Sequence, residues 1–465
     1  MPAVDHNAEL PPISGPPAQV IIHGGSAQTM PGASVRLPGS KYYTLRYLLN
    51  ALLAEGESLV HGPALSDDTA VLVRAARALG ATATWEEAAD GWNLRVTGVS
   101  GKPTPPADGV IHMGNAGAVT RLLLGVCACL PEIRFETDHP ASLGKRPNAD
   151  LLHAFRELGL SVEAREPGGL LPITLRGGPP QGGAVSVSGA QSSQYLSALL
   201  YLAPLLPDGL DITVTGGLRS APLVAATLRA LSDAGIRVQA NFHLTNFIVP
   251  GKQRFRAREY AIPGDAPSTA ALAAAAAVLT APLRLERLAW DDRDVRALVA
   301  ALDTLGVEMT ERPSAENDGA LAITGALHDT PPATPRVVDC DPIIDSAPVL
   351  VALACFAPGA TRFVNGANLR VKESDRIYDL CAELARAGAD VTPQPDGIIV
   401  RGQPTGVSGD VTVAAYDDHR VAQALAILSL RANNPVTITG AQAIAKSYPW
   451  FYDDLRRLGA NITAS

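Results

Sequence analysis

The chain contains 465 residues and carries a formal net charge of −8, from 46 acidic and 38 basic residues. Because no block of like charge stands out, we expect neither a nucleic-acid-binding nor a membrane-binding surface. The hydrophobic fraction of 47% is enough for two ordinary cores, and any anion site must gather its positive charge locally.

The N-terminus and the cysteines are typical of a cytoplasmic protein. The opening MPAVDHNAELPPISGPPAQ has early acids and prolines and no apolar region, so it is not a signal peptide, and we expect residues 1–17 to form a mobile extension. An odd number of cysteines without a CxxC spacing favours free thiols in a reduced compartment. They are Cys127, Cys129, Cys340, Cys355 and Cys381.

An amphipathic helix, a glycine and a short β-branched stretch recur in this order six times. The glycine is the usual C′ cap of a helix, and the alternation after it predicts a strand. Successive glycines lie 79, 76, 71, 82 and 71 residues apart, which predicts a repeated α/β architecture of two groups of three units. A generic α/β chain is the alternative. The glycines are Gly80, Gly159, Gly235, Gly306, Gly388 and Gly459.

The first two motifs place small residues and cations at predicted helix starts. In LPGSKYYTLRYLLNALL, a Pro-Gly turn leads into Ser40, Lys41 and Arg46, where unpaired backbone amides and two cations favour an anion. In MGNAGAVTRLLLG, small residues let backbone amides approach a ligand, and Arg121 follows. An ordinary capped helix and tight packing are the respective alternatives.

The next two motifs have the same character. Lys145 and Arg146 in ASLGKRPNADLL precede a helix, and they are either an anion site or a solvated pair. Ser192, Ser193 and Gln194 in SGAQSSQYLSALL offer short neutral donors that can hold a phosphate, or they form an N-cap cluster.

Two motifs in the second half carry carboxylates. Asp345 in CDPIIDSAPVLVALACF stands at the head of a strongly apolar helix, as a cap or as a general base. NLRVKESDRIYDL is dense in charge, and it contains Lys372, Glu373 and Arg376. Glu373 and Arg376 are three residues apart and can share a helix face, although a solvated first turn is also possible.

The last two motifs are weak signals when taken alone. In AYDDHRVAQALAILSL, the residues Asp418, His419 and Arg420 lead a helix that is expected to be buried. AIAKSYPWFYDDL contributes Lys446.

Taken in order, PGSK, GNAG, KRP, SSQ, the Asp-headed helix, RVKESDR, DDHR and AKSYP resemble the 5-enolpyruvylshikimate-3-phosphate synthase family over about residues 35–460. The resemblance implies an α/β fold of two domains. Each is an inverse α/β barrel, or α-β prism, of three βαβαββ-type repeats, with the ligands in the cleft between domains. The implied domains are 39–262 and, jointly, 18–38 and 263–465.

The resemblance also implies a reaction and its residues. The expected enzyme is a monomer without metal or organic cofactor that transfers the enolpyruvyl group of phosphoenolpyruvate to a hydroxyl of a phosphorylated acceptor. Asp345 would deprotonate that hydroxyl, and Glu373, with Lys41 nearby, would protonate the methylene carbon. The implied phosphoenolpyruvate ligands are Lys41, Gly117, Arg146, Gln194, Arg376, Arg420 and Lys446. The implied acceptor ligands are Tyr42, Arg46, Ser192, Ser193, Ser220, Asp345 and Lys372.

The chain departs from the family pattern around the acceptor. Tyr42 and Leu45 stand where the family usually has a serine and an asparagine, and Ala118, Leu122 and Leu223 are further departures. The small serine helps to bind the shikimate carboxylate, so Tyr42 favours a different acceptor.

Relatives in peptidyl-nucleoside antibiotic pathways enolpyruvylate the 3′-hydroxyl of UMP. In UMP, the same number of carbons separates the reacting hydroxyl from the phosphate as in shikimate 3-phosphate. We therefore expect UMP or a similar nucleotide as the acceptor, with shikimate 3-phosphate as the alternative. A non-catalytic anion-binding relative is a third interpretation.

Overall fold

A computed structural model of the protein describes residues 8–12, 15–25, 33–89, 91–316, 318–328 and 330–464. Residues 1–7, 13 and 14, which belong to the predicted mobile extension, lie outside the described residues.

Helices and short strands alternate along the chain. The helices are α1 (Lys41–Leu53), α2 (Asp67–Ala78), α3 (Gly117–Cys127), α4 (Ala149–Glu157), α5 (Ser193–Leu202), α6 (Ala221–Asp233), α7 (Ala266–Leu279), α8 (Arg293–Thr304), α9 (Ala347–Ala354), α10 (Tyr378–Arg386), α11 (His419–Ser429) and α12 (Phe451–Arg457). The strands are β1 (Gln19–His23), β2 (Ala33–Val35), β3 (Glu57–His61), β4 (Thr82–Ala88), β5 (Gly91–Thr97), β6 (Val110–His112), β7 (Glu132–Glu136), β8 (Ser161–Arg165), β9 (Leu170–Arg176), β10 (Gly183–Ser188), β11 (Leu210–Thr215), β12 (Gln239–Ala240), β13 (Asn246–Val249), β14 (Glu259–Ala261), β15 (Leu283–Leu285), β16 (Val307–Glu311), β17 (Leu321–Leu327), β18 (Arg336–Asp339), β19 (Ala360–Val364), β20 (Asp390–Gln394), β21 (Gly397–Arg401), β22 (Val411–Ala414), β23 (Val436–Thr439) and β24 (Asn461–Ala464).

The chain forms two compact units. The first contains residues 39–262 and the described residues 8–12, and the second contains residues 263–464 and the described part of 13–38. Within these ranges the first unit has the sheets β14-β3-β5-β4, β6-β7-β9-β8 and β10-β11-β13-β12, and the second has β2-β15-β17-β16, β18-β19-β21-β20 and β22-β23-β1-β24.

All of these sheets share one topology. The first two strands of each are parallel and the remaining neighbours are antiparallel, as in β10, β11, β13 and β12. Helices connect the strands in the order βαβαββ, as in β10-α5-β11-α6-β12-β13. The six glycines of the sequence pattern each follow the second helix of one βαβαββ repeat. Their φ values lie between +80° and +102°, a left-handed conformation that glycine adopts without strain. The predicted repeated α/β architecture is confirmed.

Strands from a distant part of the chain complete one sheet in the first unit and two sheets in the second. In the first unit, β14 pairs in parallel with β3. In the second unit, β1 pairs with β23 and β24, and β2 pairs with β15. Three complete repeats therefore require strands from both ends of residues 39–262 in the first unit. In the second unit they require strands from the described part of 13–38 together with residues 263–464.

Residues 8–12, which the sequence analysis assigned to a mobile extension, contact the first unit. Glu9 forms an ion pair of 2.8 Å with Arg74, and the indole of the buried Trp85 donates a hydrogen bond to the Glu9 carbonyl at 3.3 Å. Arg77 donates to the Ala8 carbonyl at 3.1 Å. A buried indole N–H needs an acceptor, and the proline-rich sequence gave no sign that this segment would provide it.

The alanine-rich helix α7 is buried along its whole length. Among the described residues, none of the helices has both the length and the hydropathy that a transmembrane span requires.

The helices α3 and α5 of the first unit pack closely against each other. A Cβ atom on Gly125 of α3 would lie 2.2 Å from the backbone oxygen of Ala198 in α5. The absence of a side chain at Gly125 therefore sets the distance between α3, which begins at Gly117, and α5, which begins at Ser193.

We expect Gly125→Ala to lower the free energy of unfolding of the first unit by about 1–3 kcal/mol, because the added methyl forces the two helices apart. The higher helix propensity of alanine, worth about 1 kcal/mol, opposes this loss. Urea unfolding measures the change. Gly15→Ala is the control, since a Cβ there meets nothing within 4 Å. Equal or greater stability of Gly125→Ala would contradict the prediction.

Candidate active site

In the first unit, predicted site residues occupy the starts of several helices. Lys41 is the first residue of α1, Gly117 is the first residue of α3, and Gln194 lies in the first turn of α5. Ser220 is the N-cap residue of α6, with φ of +50°. The first amides of a helix have no intrahelical acceptor, and the helix dipole is positive at this end, so these positions favour anions.

Lys41 is buried and forms an ion pair of 3.1 Å with Asp68, which is 2% exposed. Asp68 lies in the first turn of α2. The sequence analysis did not select it, because acidic residues are common in the first turn of any helix.

Arg146 lies directly on the backbone of Gly117. A Cβ atom at Gly117 would be 2.1 Å from Nη1 of Arg146, so any side chain there would displace the guanidinium. Asn148 holds the loop by donating to the carbonyls of Arg146 and Gly169, both at 3.1 Å. The structure thus brings together a guanidinium and a helix start that the sequence had placed in separate motifs.

Arg121, which the sequence analysis noted without a role, fixes Gln194. It donates to the side-chain oxygen of Gln194 at 2.8 Å, to Asn148 at 3.3 Å and to the Pro147 carbonyl at 3.2 Å. Its guanidinium lies over the ring of Tyr195, 5.3 Å from the ring centroid. Gln194 and the Arg146 loop are therefore part of one connected cluster.

Arg46, predicted to contact the acceptor, links helices inside the first unit. It is 4% exposed, and it donates to the Thr227 hydroxyl at 2.8 Å and to the carbonyls of Leu223 and Tyr42, each at 2.9 Å. Thr227 also pairs with the Ser197 hydroxyl at 2.9 Å. These contacts join α1, α5 and α6, and the helix pattern alone could not show that the guanidinium turns inward.

Ser192 has the N-cap role that the sequence analysis gave as one of its two alternatives. Ser192 is the N-cap and accepts from the Gln194 amide at 3.3 Å, while Ser193 is buried.

The two tyrosines at the start of α1 differ in exposure. Tyr43 is buried, and its ring centroid lies 5.6 Å from that of Tyr47, whereas Tyr42 is half-buried.

In the second unit, Arg376 is the centre of a buried charge cluster. It is 1% exposed, and it donates to Asp345 at 2.8 Å, to Glu373 at 2.7 Å and to both oxygens of Asp418 at 2.8 and 3.0 Å. Burial lowers the pKa of Arg376, but Asp418, Glu373 and Asp345 outweigh burial and raise this pKa above its usual value.

Two lysines complete the cluster. Lys372 lies 3.2 Å from Asp345, and Lys446 lies 3.2 Å from Glu373. Lys446 ends the short 3₁₀ helix Ala441–Lys446. Asp345 stands two residues before α9 and does not cap it, because Ser346 is the N-cap. Buried charges are tolerated when each has a partner, and here carboxylates alternate with cations.

Asp418 is the carboxylate that the sequence analysis left without a role. It is fully buried and accepts from Arg376 through both oxygens, from the Ser374 hydroxyl at 3.0 Å and from the Arg420 amide at 2.9 Å. This last bond makes it the N-cap of α11. The DHR motif contained this signal, since an aspartate directly before a buried helix is a frequent cap.

Arg420 is buried beside this cluster. Its Nη1 donates to Gln423 at 3.0 Å, and its Nη2 lies 4.0 Å from Asp265. Asp265 is the N-cap of α7, and it accepts from the Ser268 amide at 3.0 Å and from the Ser268 hydroxyl at 2.6 Å. The second unit therefore contains two buried arginines, Arg376 with three carboxylate partners and Arg420 with Gln423 and Asp265 beside it.

This arrangement suits anion binding together with acid–base chemistry. Cations in a buried cluster can exchange their carboxylate partners for an anionic ligand of comparable charge. Asp345 and Glu373 lie on different nitrogens of one guanidinium, which fixes both at one centre.

Comparison with known proteins agrees with these features. Residues 28–455 match the family described as EPSP synthase (3-phosphoshikimate 1-carboxyvinyltransferase). The 3-phosphoshikimate 1-carboxyvinyltransferase of Deinococcus radiodurans is 41% identical over 444 residues, which cover 95% of this chain and 96% of that protein. The protein of the same name from Methanosarcina mazei is 32% identical over 427 residues, covering 91% and 95%.

Solved structures of similar fold cover nearly the whole chain. The EPSP synthase of Acinetobacter baumannii superposes with a TM-score of 0.77 at 25% identity, over 96% of this chain and 99% of that one. The enolpyruvyl transferase NikO from Streptomyces tendae superposes with a TM-score of 0.74 at 19% identity, over 97% and 99%, and indicates the fold alone. The chain therefore belongs to the EPSP synthase family and is an enolpyruvyl transferase.

Proposed function

We propose that the protein transfers the enolpyruvyl group of phosphoenolpyruvate to the 5-hydroxyl of shikimate 3-phosphate and releases phosphate. The observation that carries the chemical part of the proposal is the Arg376 cluster, which holds Asp345 and Glu373 beside Lys372 and Lys446. The relatives named 3-phosphoshikimate 1-carboxyvinyltransferase support the acceptor, the first of them at 41% identity.

This acceptor differs from the one that Tyr42 led us to expect. We expected UMP because Tyr42 and further positions depart from the family pattern, and because its hydroxyl and phosphate are spaced as in shikimate 3-phosphate. NikO, a structural neighbour described as an enolpyruvyl transferase, is only 19% identical and supports no acceptor. Shikimate 3-phosphate is therefore our main proposal, and UMP is the competing outcome of the test.

The proposal keeps the phosphoenolpyruvate ligands that the family resemblance implies. The phosphate would contact Lys41, the Gly117 amide, Arg146 and Gln194. Their support is the helix-start positions and the Arg146–Gly117 contact. Lys446 would be a further phosphate ligand.

Arg376 and Arg420 would hold the carboxylate of phosphoenolpyruvate. Both are about 1% exposed, and their surroundings have already removed the water that would weaken an ion pair. The acceptor phosphate would contact Ser192, Ser193 and Ser220, and Lys372 would contact an acceptor hydroxyl.

In the proposed reaction, Asp345 takes the proton of the acceptor hydroxyl as the oxygen bonds to C2 of phosphoenolpyruvate. Glu373 gives a proton to the methylene carbon, which becomes a methyl group. The tetrahedral intermediate then loses phosphate as the bond between C2 and the phosphate oxygen breaks. A methyl proton returns to Glu373, which restores the double bond. The cations stabilise the charge that develops on the departing phosphate.

The ion pairs of the cluster fit this scheme. Arg376 and Lys446 contact Glu373, while Arg376 and Lys372 contact Asp345. Phosphoenolpyruvate would compete with both carboxylates for these cations. The cytoplasmic location and monomeric state expected from the sequence belong to this proposal as well.

We expect Asp345→Asn to reduce turnover by roughly 10²–10⁴-fold while phosphoenolpyruvate still binds, because the amide keeps the shape but cannot accept the proton. Phosphate release measures turnover, and calorimetry measures binding. Asp396→Asn, at an exposed position of the second unit, is the control. Normal turnover by Asp345→Asn would show that Asp345 is not the base.

The acceptor is tested by phosphate release from phosphoenolpyruvate with shikimate 3-phosphate or UMP. We expect turnover with shikimate 3-phosphate and at most background release with UMP. Tyr42→Ser, which restores the residue usual in the family, should lower the KM for shikimate 3-phosphate. Tyr42→Phe keeps the ring and removes only the hydroxyl, so it shows which of the two changes the KM. Efficient use of UMP without use of shikimate 3-phosphate would overturn the proposed acceptor.

A further inference from the structure

A strained turn precedes α11 in the second unit. Tyr416 and Asp417 have φ of +54° and +53°, so two consecutive residues other than glycine adopt the left-handed conformation. Each such residue costs about 1–2 kcal/mol. Strain of this kind persists only where the surroundings impose it, and it concentrates at functional sites. The next residue is Asp418, the cap of α11 and the partner of Arg376.

The buried side chain of Glu383 holds this turn from α10. Glu383 is 3% exposed, and its Oε1 accepts the hydroxyl of Tyr416 at 2.7 Å. Its Oε2 accepts the amide of Ala414 at 3.1 Å and Nη1 of Arg386 at 2.7 Å. One carboxylate thus binds the chain on the strand before the turn and at the first strained residue.

The tyrosine is suited to act as a permanent donor. Its hydrogen bond to Glu383, together with partial burial, raises the pKa of Tyr416 to about 12. The hydroxyl therefore keeps its proton at any physiological pH, and the bond to a charged acceptor is of the strong kind.

The turn determines where the Asp418 carboxylate lies. Its amide donates to the Ala415 carbonyl at 2.9 Å, and its side chain receives Arg376, Ser374 and the Arg420 amide. If the turn relaxed to ordinary φ values, the carboxylate would move away from Arg376 and the first turn of α11 would lose its cap.

We propose that Tyr416, held by Glu383, is a positioning residue that fixes Arg376 and Arg420 through the Asp418 carboxylate. The inference rests on the proposed function, in which these two arginines bind the carboxylate of phosphoenolpyruvate. Tyr416 itself is 45% exposed and has no part in the proposed chemistry.

Tyr416→Phe tests the proposal, because it removes the hydroxyl and leaves Glu383 with two other donors. We expect the KM for phosphoenolpyruvate to rise roughly tenfold, the scale of one hydrogen bond to a charged group, while kcat and the KM for shikimate 3-phosphate change by less than about twofold. Tyr378→Phe is the matched control, since Tyr378 is 64% exposed at the start of α10. Thermal unfolding is measured for both variants.

A purely structural role would lower the unfolding midpoint without this selective change in KM. An unchanged KM for phosphoenolpyruvate, or an equal rise in both KM values, would overturn the proposal. A second measurement asks whether Tyr416 acts through Asp418. In an Asp418→Asn background, Tyr416→Phe should add less than about twofold, because coupled residues are not additive. If Asp418→Asn does not fold, Tyr416→Phe decides alone.

The proposed function can fail separately. If the wild-type protein shows no turnover with shikimate 3-phosphate, direct binding of phosphoenolpyruvate replaces the kinetic readout. Tyr416→Phe should then weaken that binding roughly tenfold, again the scale of one charged hydrogen bond. Equal binding by the variant and the wild type, or no binding by either, would overturn the inference.

Discussion

The candidate site of the second unit depends on the ion pairs of the buried Arg376 guanidinium. A cation that is 1% exposed is stable only where carboxylates surround it, and Asp345, Glu373 and Asp418 do so. Removing one partner would leave a buried charge without compensation, so the cluster is held as a whole. The same pairing fixes the carboxylates that are proposed to move protons.

The repeated fold explains why so many ligand candidates lie at helix starts. Each βαβαββ repeat contributes helices whose N-terminal ends follow a strand, as α3 follows β6 and α5 follows β10. In the first unit, Arg121 and Asn148 then join the starts of α3 and α5 to the loop before α4. An acidic protein can in this way gather local positive potential from helix dipoles and a few cations.

The sequence was a good guide wherever a local rule applied. The recurring helix–glycine–strand pattern predicted the repeats, because a left-handed C′ position is required after each second helix and glycine supplies it. The charged motifs marked Asp345, Glu373 and Arg376, which do meet in one cluster. Local rules did not show the inward hydrogen bonds of Arg46 or the contacts of residues 8–12, which lack any periodicity.

By itself, the sequence determined the repeat architecture, the family and the residue types available for anion binding, because these depend on short-range periodicity and on motifs with fixed spacing. Only the tertiary structure decided which of those residues share a cluster. Asp418 meets Arg376 across 42 positions of the chain, and Arg46 meets Thr227 across 181. Such partners are set by the packing of helices from different repeats, α1 against α6 and α10 against α11, and no pattern within a single motif contains that information.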